Sequence, residues 1–153
     1  MHANAKPIPE GYHTITPYLT VRNAAQALEF YKQAFGAEER YRLTDGGRIG
    51  HAEIRIGNSL LMLSDEYPEM GVRSPESVGG TPVMLHLYVE DVDAWVARAV
   101  QAGGRLERPV ENQFYGDRTG MVIDPFGHKW WIATHIEDVP PEEMEQRVKA
   151  AVD

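Results

Sequence analysis

The sequence contains no cysteine, which excludes disulfide bonds and thiolate chemistry. No apolar run approaches the roughly 20 residues that a membrane-spanning helix needs. The first nine residues lack the basic and then apolar order of a secretory signal peptide. Basic residues are also few, since 15 lysines and arginines stand against 23 aspartates and glutamates, a net charge of −8. These absences predict a cytoplasmic protein that binds neither a membrane nor nucleic acid, because nucleic-acid surfaces are basic.

A strand is predicted at the start of the ordered chain. The length of 153 residues and the apolar content of 42% suit one domain with a real core. From residue 14 the sequence alternates, with Ile15, Leu19 and Val21 on one face, which is typical of a half-buried strand. Pro17 lies inside this pattern, and because proline cannot donate to a ladder, it predicts an edge strand or a bulge.

A helix and three further strands complete the first half. Asn23 has the chemistry of an N-cap, an apolar stripe runs to Phe35, and Gly36 ends the helix. Three strands are then predicted at about residues 38–43, 49–56 and 59–64, joined by Gly-rich turns.

The second half repeats this order. An alternating strand leads to Val89, Asp91 caps a helix, and Gly103 and Gly104 end it, with strands at about residues 105–110, 115–123 and 128–134. Val21 to Gly36 and Val89 to Gly104 are both fifteen positions apart. Each half is therefore predicted to be a β-α-β-β-β module, and two such modules bury more apolar surface than one can.

The predicted organisation has five parts. They are an N-terminal arm held loosely (1–13), a first module (14–65), a linker (66–81), a second module (82–135) and a helical tail (136–153).

Three segments carry a resemblance to a known family: Ile15 to Leu19, Phe30 to Ala37, and Asp124 to His128. Together with the paired modules, they resemble the vicinal oxygen chelate superfamily, which includes glyoxalase I, bleomycin-resistance proteins and extradiol dioxygenases. They are most similar to its PhnB-like branch, over about residues 12–136. The resemblance implies an α+β fold in which curled mixed sheets form a cup with the helices outside and the ligand inside. It also implies a homodimer.

Metal-dependent members of that superfamily hold a metal with four ligands, usually His and Glu. The resemblance carries these positions to Thr16 and Met84 on the first strands, and to Trp131 and either Leu61 or Met62 on the last strands. None of these side chains suits Zn, Ni, Fe or Mn. The sequence therefore predicts no metal and no other cofactor.

Aromatic and thioether side chains share the strand face that the resemblance assigns to the cup. Such walls suit planar or bulky organic molecules, as in metal-free members that sequester an antibiotic. The predicted ligand contacts are Thr16, Tyr18, Met62, Met84, Tyr88, Tyr115, Asp117 and Trp131. The sequence leaves open that several of these are simply core residues, and that Asp117 lies in a solvated turn or a dimer salt bridge.

Three residues are candidates for chemistry. His51 and Glu53 lie two apart on one strand, so their side chains point the same way. Glu53 would orient His51, which would act as an acid or base. His86 shares the face of Met84. The alternatives are ordinary polar residues in a wet cavity, or an unconventional metal site formed by all three. The hypotheses are thus a metal-free binding protein, or a glyoxalase-like lyase, isomerase or dioxygenase.

Overall fold

The computed structural model describes residues 4–152, so residues 1–3 of the predicted arm and residue 153 of the predicted tail lie outside the described residues. The chain divides into two compact units, with the boundary between Gly80 and Thr81. Both units have the predicted β-α-β-β-β order, which confirms the α+β fold.

The first unit comprises β1 (Tyr18–Val21), α1 (Ala24–Phe35), β2 (Glu38–Asp45), β3 (Arg48–Ile56) and β4 (Ser59–Asp65), followed by a 3-10 turn (Pro68–Met70) and the short α2 (Pro75–Val78). The second comprises β5 (Met84–Tyr88), α3 (Val92–Gln101), β6 (Arg105–Asn112), β7 (Asp117–Ile123), β8 (Lys129–His135) and α4 (Pro141–Val152).

Each unit contains one mixed four-stranded sheet. The strand orders are β1-β4-β3-β2 and β5-β8-β7-β6. In each sheet the first and last strands of the module pair in parallel, and the other neighbours are antiparallel. The first strand of each module is therefore an edge strand, which is one of the two alternatives that Pro17 predicted for the first unit.

The first helix has the predicted caps. The side chain of Asn23 accepts a hydrogen bond from Gln26 N, and Gly36 adopts the left-handed conformation with φ 66°. The second module repeats the N-cap, because Asp91 accepts from Ala94 N. These caps satisfy backbone groups that a helix terminus leaves without partners, so the sequence defined the helix bounds to within about one residue.

The start of the first strand was predicted wrongly. β1 begins at Tyr18, directly after Pro17, whose carbonyl accepts from Met62 N. Ile15 lies before the strand and is 85% exposed, so it does not share the buried face of Leu19 and Val21. Proline has no N–H to donate, and the regular ladder therefore starts only after it.

The N-terminal arm is also held more firmly than predicted at its end. The Tyr12 hydroxyl donates to the buried carboxylate of Glu53, and Tyr12 N donates to Pro9 O. A hydroxyl that satisfies a buried charge anchors the segment that carries it.

The helix in each unit covers one face of its sheet. In the first unit α1 contacts all four strands, and the strands bury Val21, Ala52, Ile54 and Leu63 completely on that side. In the second, α3 contacts β6, β7 and β8. The opposite face of each sheet is not covered by its helix, and it is called the open face below. Within residues 4–152, no helix is long and apolar enough to cross a membrane.

Candidate site on the open faces of the two sheets

The strand register defines the open face of the first sheet. Tyr18 on β1 lies opposite Met62 on β4, Met62 lies opposite Glu53 on β3, and Glu53 lies opposite Tyr41 on β2. Residues directly opposite one another share a face of the sheet. The register also resolves the ambiguity at β4, because Met62 faces the open side whereas Leu61 is buried among the core residues.

A buried carboxylate lies at the centre of this face. Glu53 is 6% exposed and accepts three hydrogen bonds. Tyr12 donates to Oε1, Tyr41 donates to Oε2 over 2.6 Å, and His51 Nε2 lies 2.8 Å from Oε2. The structure thus brings His51 and Glu53 together, as their spacing predicted. It also supplies the hydrogen bonds that a buried charge requires.

These contacts set the ionisation of the cluster. Burial raises the pKa of Glu53, but hydrogen bonds from Tyr12, Tyr41 and His51 lower it, and the net pKa is below the ordinary 4.5. Burial and the hydrogen bond to Glu53 raise the pKa of Tyr12 to about 12. The hydrogen bond to the same carboxylate raises the pKa of Tyr41. At neutral pH the cluster therefore contains one carboxylate and protonated phenols.

The Glu53 carboxyl predicts a specific loss of stability in acid. A carboxyl whose pKa is lower in the folded protein stabilises the fold above its unfolded pKa, and this contribution is lost as the pH falls through the folded pKa. We expect the free energy of unfolding to decrease below pH 4.5, and to do so less steeply in Glu53→Gln. Urea unfolding at several pH values, followed by circular dichroism, measures both curves. Parallel pH curves for the two proteins would contradict the assignment.

The second nitrogen of His51 also has a partner. Tyr18 Oη lies 2.9 Å from His51 Nδ1, and the two rings are 5.5 Å apart between centroids. Tyr18 is itself 49% exposed. A continuous chain of hydrogen bonds therefore runs from Tyr18, a partly exposed residue, through the imidazole to the buried Glu53.

The open face of the second sheet has a different composition. Trp131 lies opposite both His86 on β5 and Met121 on β7. The Arg108 guanidinium lies 5.9 Å from the Trp131 ring centroid. Met84, His86 and Tyr88 alternate along β5 with their side chains exposed, as the sequence predicted, and the His86 and Tyr88 rings are 4.9 Å apart. His86 therefore belongs to an aromatic surface of the second unit.

A second polar cluster lies at the end of this face. Asp117 accepts from the Tyr88 hydroxyl over 2.9 Å and lies 2.7 Å from His135 Nδ1, while His135 Nε2 lies 2.7 Å from Asp138. Hydrogen bonds to Asp117 and then Asp138 raise the pKa of His135. The alternative that placed Asp117 in a solvated turn is wrong, because Asp117 is 4% exposed and begins β7.

Two predicted contacts are displaced from the strands. Tyr115 lies in the turn between β6 and β7 and does not alternate with Asp117 along a strand. Gly116, with φ 101°, produces this turn, and its carbonyl accepts from Ile136 N and Glu137 N. Thr16 precedes β1 and is half-buried. The first strand starts four residues later than the alternation indicated, and β7 starts two residues later.

The open faces do not carry a metal-binding set of residues. The positions to which the resemblance assigns metal ligands are Met62, Trp131 and Met84, with Thr16 outside the strand. Throughout the described part of the chain, no group of three or more His, Cys, Asp or Glu side chains is arranged to hold a metal ion. His51, Glu53 and His86 do not form such a group, so the donor chemistry does not fit a superfamily metal site.

Sequence reasoning missed three polar residues: Tyr12, Tyr41 and His135. Tyr41 shares a face with Glu53 through the β2–β3 hairpin, so its register was a usable signal. Tyr12 lies 41 positions before Glu53 in a segment without periodicity, and no local pattern predicts their contact. His135 is the last residue of β8, where the alternation of apolar and polar residues no longer indicates which face of the sheet a side chain is on.

Comparisons with known proteins agree on the fold. Residues 11–132 match the "Glyoxalase/Bleomycin resistance protein/Dioxygenase superfamily". "Uncharacterized protein Mb0911c" of Mycobacterium bovis is 41% identical over 143 residues, which cover 91% of this chain and 94% of that protein.

Two solved structures are similar in shape. The Arabidopsis thaliana gene product At5g48480 is 29% identical with a TM-score of 0.64, covering 80% of this chain and 98% of that one. TioX from Micromonospora sp. ML1 is 24% identical with a TM-score of 0.65, covering 81% and 99%. At that identity the likeness to TioX concerns the fold, since one fold hosts many functions.

Proposed function

Because the chain belongs to the glyoxalase/bleomycin resistance protein/dioxygenase superfamily, we propose that it binds a small aromatic or hydrophobic molecule without a metal, on the open faces of its sheets. The observation that carries this proposal is the exposure of large apolar side chains there. Tyr18 is 49% exposed and Tyr41 45%, and in the second unit Met84 is 55% exposed and Tyr88 65%. Contiguous exposed apolar surface marks binding sites, and flat rings favour stacking.

On each open face the residues divide into apolar walls and polar groups. Of the predicted contacts, Tyr18 and Met62 would form the wall on the first sheet, and Met84, Tyr88 and Trp131 the wall on the second. The carboxylates of Glu53 and Asp117 lie below the surface with their hydrogen-bond partners. A few placed polar groups within an apolar surface are typical of small-molecule sites.

Titration with 2-naphthol, a flat aromatic probe, tests the proposal. We expect saturable binding by isothermal titration calorimetry, and roughly 3–10-fold weaker affinity in Tyr18→Ala and in Tyr41→Ala, because each removes a ring contact worth about 0.5–1.5 kcal/mol. Met70→Ala is the matched control, since Met70 is 75% exposed but lies in the 3-10 turn outside the open face. Absence of saturable binding, or equal losses in all three variants, would contradict the proposal.

The metal-free part of the proposal has its own measurement. Elemental analysis by inductively coupled plasma mass spectrometry, on protein purified without chelator and after addition of Zn, Ni, Mn and Fe(II), should find metal well below one equivalent per chain. A stoichiometric metal would contradict it.

A second candidate function is an isomerase or lyase that uses His51 and Glu53. The 2.8 Å contact between His51 Nε2 and Glu53 favours it, because a carboxylate that orients an imidazole is a recurring acid–base arrangement. If the protein is an enzyme, it should convert a bound ligand into a product, and mass spectrometry would detect the product. This conversion would be lost in His51→Ala, whereas binding alone leaves the ligand unchanged.

The assembly, location and branch are parts of the same proposal. A homodimer would cover exposed apolar residues such as Leu43, which is 59% exposed. A molecular mass of 17.2 kDa in sedimentation velocity, the mass of the monomer, would contradict it. The absence of cysteine supports a cytoplasmic location, which fractionation of the cells of origin can test. The segment Asp124 to His128 supports the PhnB-like branch, and a phylogeny that groups the chain elsewhere would contradict it.

A further inference from the structure

The hydrogen bonds around Glu53 fix where each proton of the cluster lies. An ionised carboxylate accepts hydrogen bonds and donates none. The phenols of Tyr12 and Tyr41 must therefore direct their protons to Glu53, and His51 must carry a proton on Nε2, the nitrogen 2.8 Å from Oε2. The lowered pKa of Glu53 agrees with the ionised form.

This arrangement determines the direction of the last hydrogen bond. In a neutral imidazole with its proton on Nε2, Nδ1 has only a lone pair and is an acceptor. With His51 in this neutral form, Tyr18 Oη, 2.9 Å away, donates its proton to Nδ1. The hydroxyl protons of all three tyrosines thus point into the cluster, and each oxygen keeps lone pairs for a further partner.

We infer that the open face of the first sheet selects an aromatic ligand that carries an O–H or N–H donor, and that the oxygen of Tyr18 accepts the hydrogen bond. This inference deepens the proposed function and rests on it. Tyr18 is the member of the chain of hydrogen bonds that is both exposed and held by His51. His51 is a positioning residue, because both of its ring nitrogens already have partners.

The charge of the cluster favours the same ligands. The buried Glu53 gives the face a negative centre, and the chain as a whole carries −8. The Arg40 guanidinium lies 6.0 Å from the centroid of the Tyr12 ring, at the edge of this cluster. A ligand that presents only acceptors would place them against the lone pairs of the Tyr18 oxygen. No hydrogen bond would form there, and the ligand would bind more weakly.

A matched pair of probes tests the inference. 2-Naphthol and 2-methoxynaphthalene share the aromatic rings, but only the naphthol has a donor. By calorimetry at pH 7.5 we expect the wild-type protein to bind the naphthol roughly 3–10-fold more tightly, which corresponds to a net hydrogen bond of about 0.5–1.5 kcal/mol. In Tyr18→Phe the two probes should bind equally, with the affinity for the ether unchanged.

Tyr67→Phe is the matched control, because the Tyr67 hydroxyl is the one buried side-chain polar atom among residues 4–152 that has no hydrogen-bond partner. It should keep the wild-type preference. Nitrogen-15 NMR of labelled histidine, assigned by comparison with His51→Gln, gives an independent readout, in which His51 should be the tautomer protonated at Nε2.

The outcomes separate the inference from the function on which it rests. If both probes bind wild type equally, if the preference survives in Tyr18→Phe, or if His51 carries a proton on Nδ1, the inference is wrong and the proposed aromatic binding stands. If neither probe binds, the proposed function fails on this face and the inference fails with it.

Discussion

Replacing Asp124 with alanine is expected to lower the free energy of unfolding by about 3–5 kcal/mol, since several buried donors lose their acceptor at about 1–3 kcal/mol each. Asp124 is 3% exposed. Its Oδ1 accepts from Phe126 N over 2.9 Å and from His128 N over 3.0 Å, and its Oδ2 accepts from the indole Nε1 of Trp130 over 2.9 Å. One carboxylate thus holds both the turn and the fully buried tryptophan that follows it.

Asp124→Asn provides the graded comparison. The amide keeps one acceptor oxygen for the turn but replaces the other with a donor that faces the indole N–H of Trp130. We expect the free energy of unfolding of Asp124→Asn to lie between the values of the wild-type protein and of Asp124→Ala. Urea unfolding followed by tryptophan fluorescence measures all three proteins. A loss below about 1 kcal/mol in Asp124→Ala would contradict the view that this carboxylate organises the segment.

Gly116→Ala is the second substitution with a large expected effect. Gly116 has φ 101°, and a Cβ there would lie far inside the van der Waals contact distance of the Glu137 carbonyl oxygen. The backbone cannot simply move apart, because Gly116 O accepts from Ile136 N and Glu137 N over 2.9 and 3.0 Å. We expect a loss of about 3–5 kcal/mol from backbone strain and overpacking together.

Gly57→Ala separates the two contributions. Gly57 also has a positive φ, 59°, but an added Cβ would meet nothing within 4 Å. It should cost only the left-handed strain of about 1–2 kcal/mol. Equal losses in the two variants, measured by urea unfolding, would show that the contact with Glu137 carries no energy of its own.

The helices were predictable because their signals are local. Asn23 and Asp91 accept hydrogen bonds three residues ahead of themselves, and Gly36 ends α1 in the conformation that only glycine adopts readily. The strand starts at Tyr18 and Asp117 were predicted less well. The alternation of apolar and polar residues begins before the first residue that pairs with a neighbouring strand. The paired region starts only where the neighbouring strand is present, which the alternation does not show.

The candidate site was predictable only along single strands. The spacing of His51 and Glu53 indicated that they share a face, and the structure shows their contact. The same reasoning could not find Tyr12, which donates to Glu53 from a segment without secondary structure. It also left open that Asp117 lies in a solvated turn, because nothing local reveals the contacts with Tyr88 and His135.

The sequence by itself determined the repeated β-α-β-β-β order, the helix caps and the side of each strand that bears aromatic residues. These depend on periodicity and on contacts between near neighbours, which the order of residues specifies directly. Only the tertiary structure decided that Tyr12 and Tyr41 also donate to Glu53, and that Tyr18 completes the chain. These three tyrosines come from three separate segments, and the packing of the sheet, rather than spacing along the chain, brings their hydroxyl groups within hydrogen-bond distance.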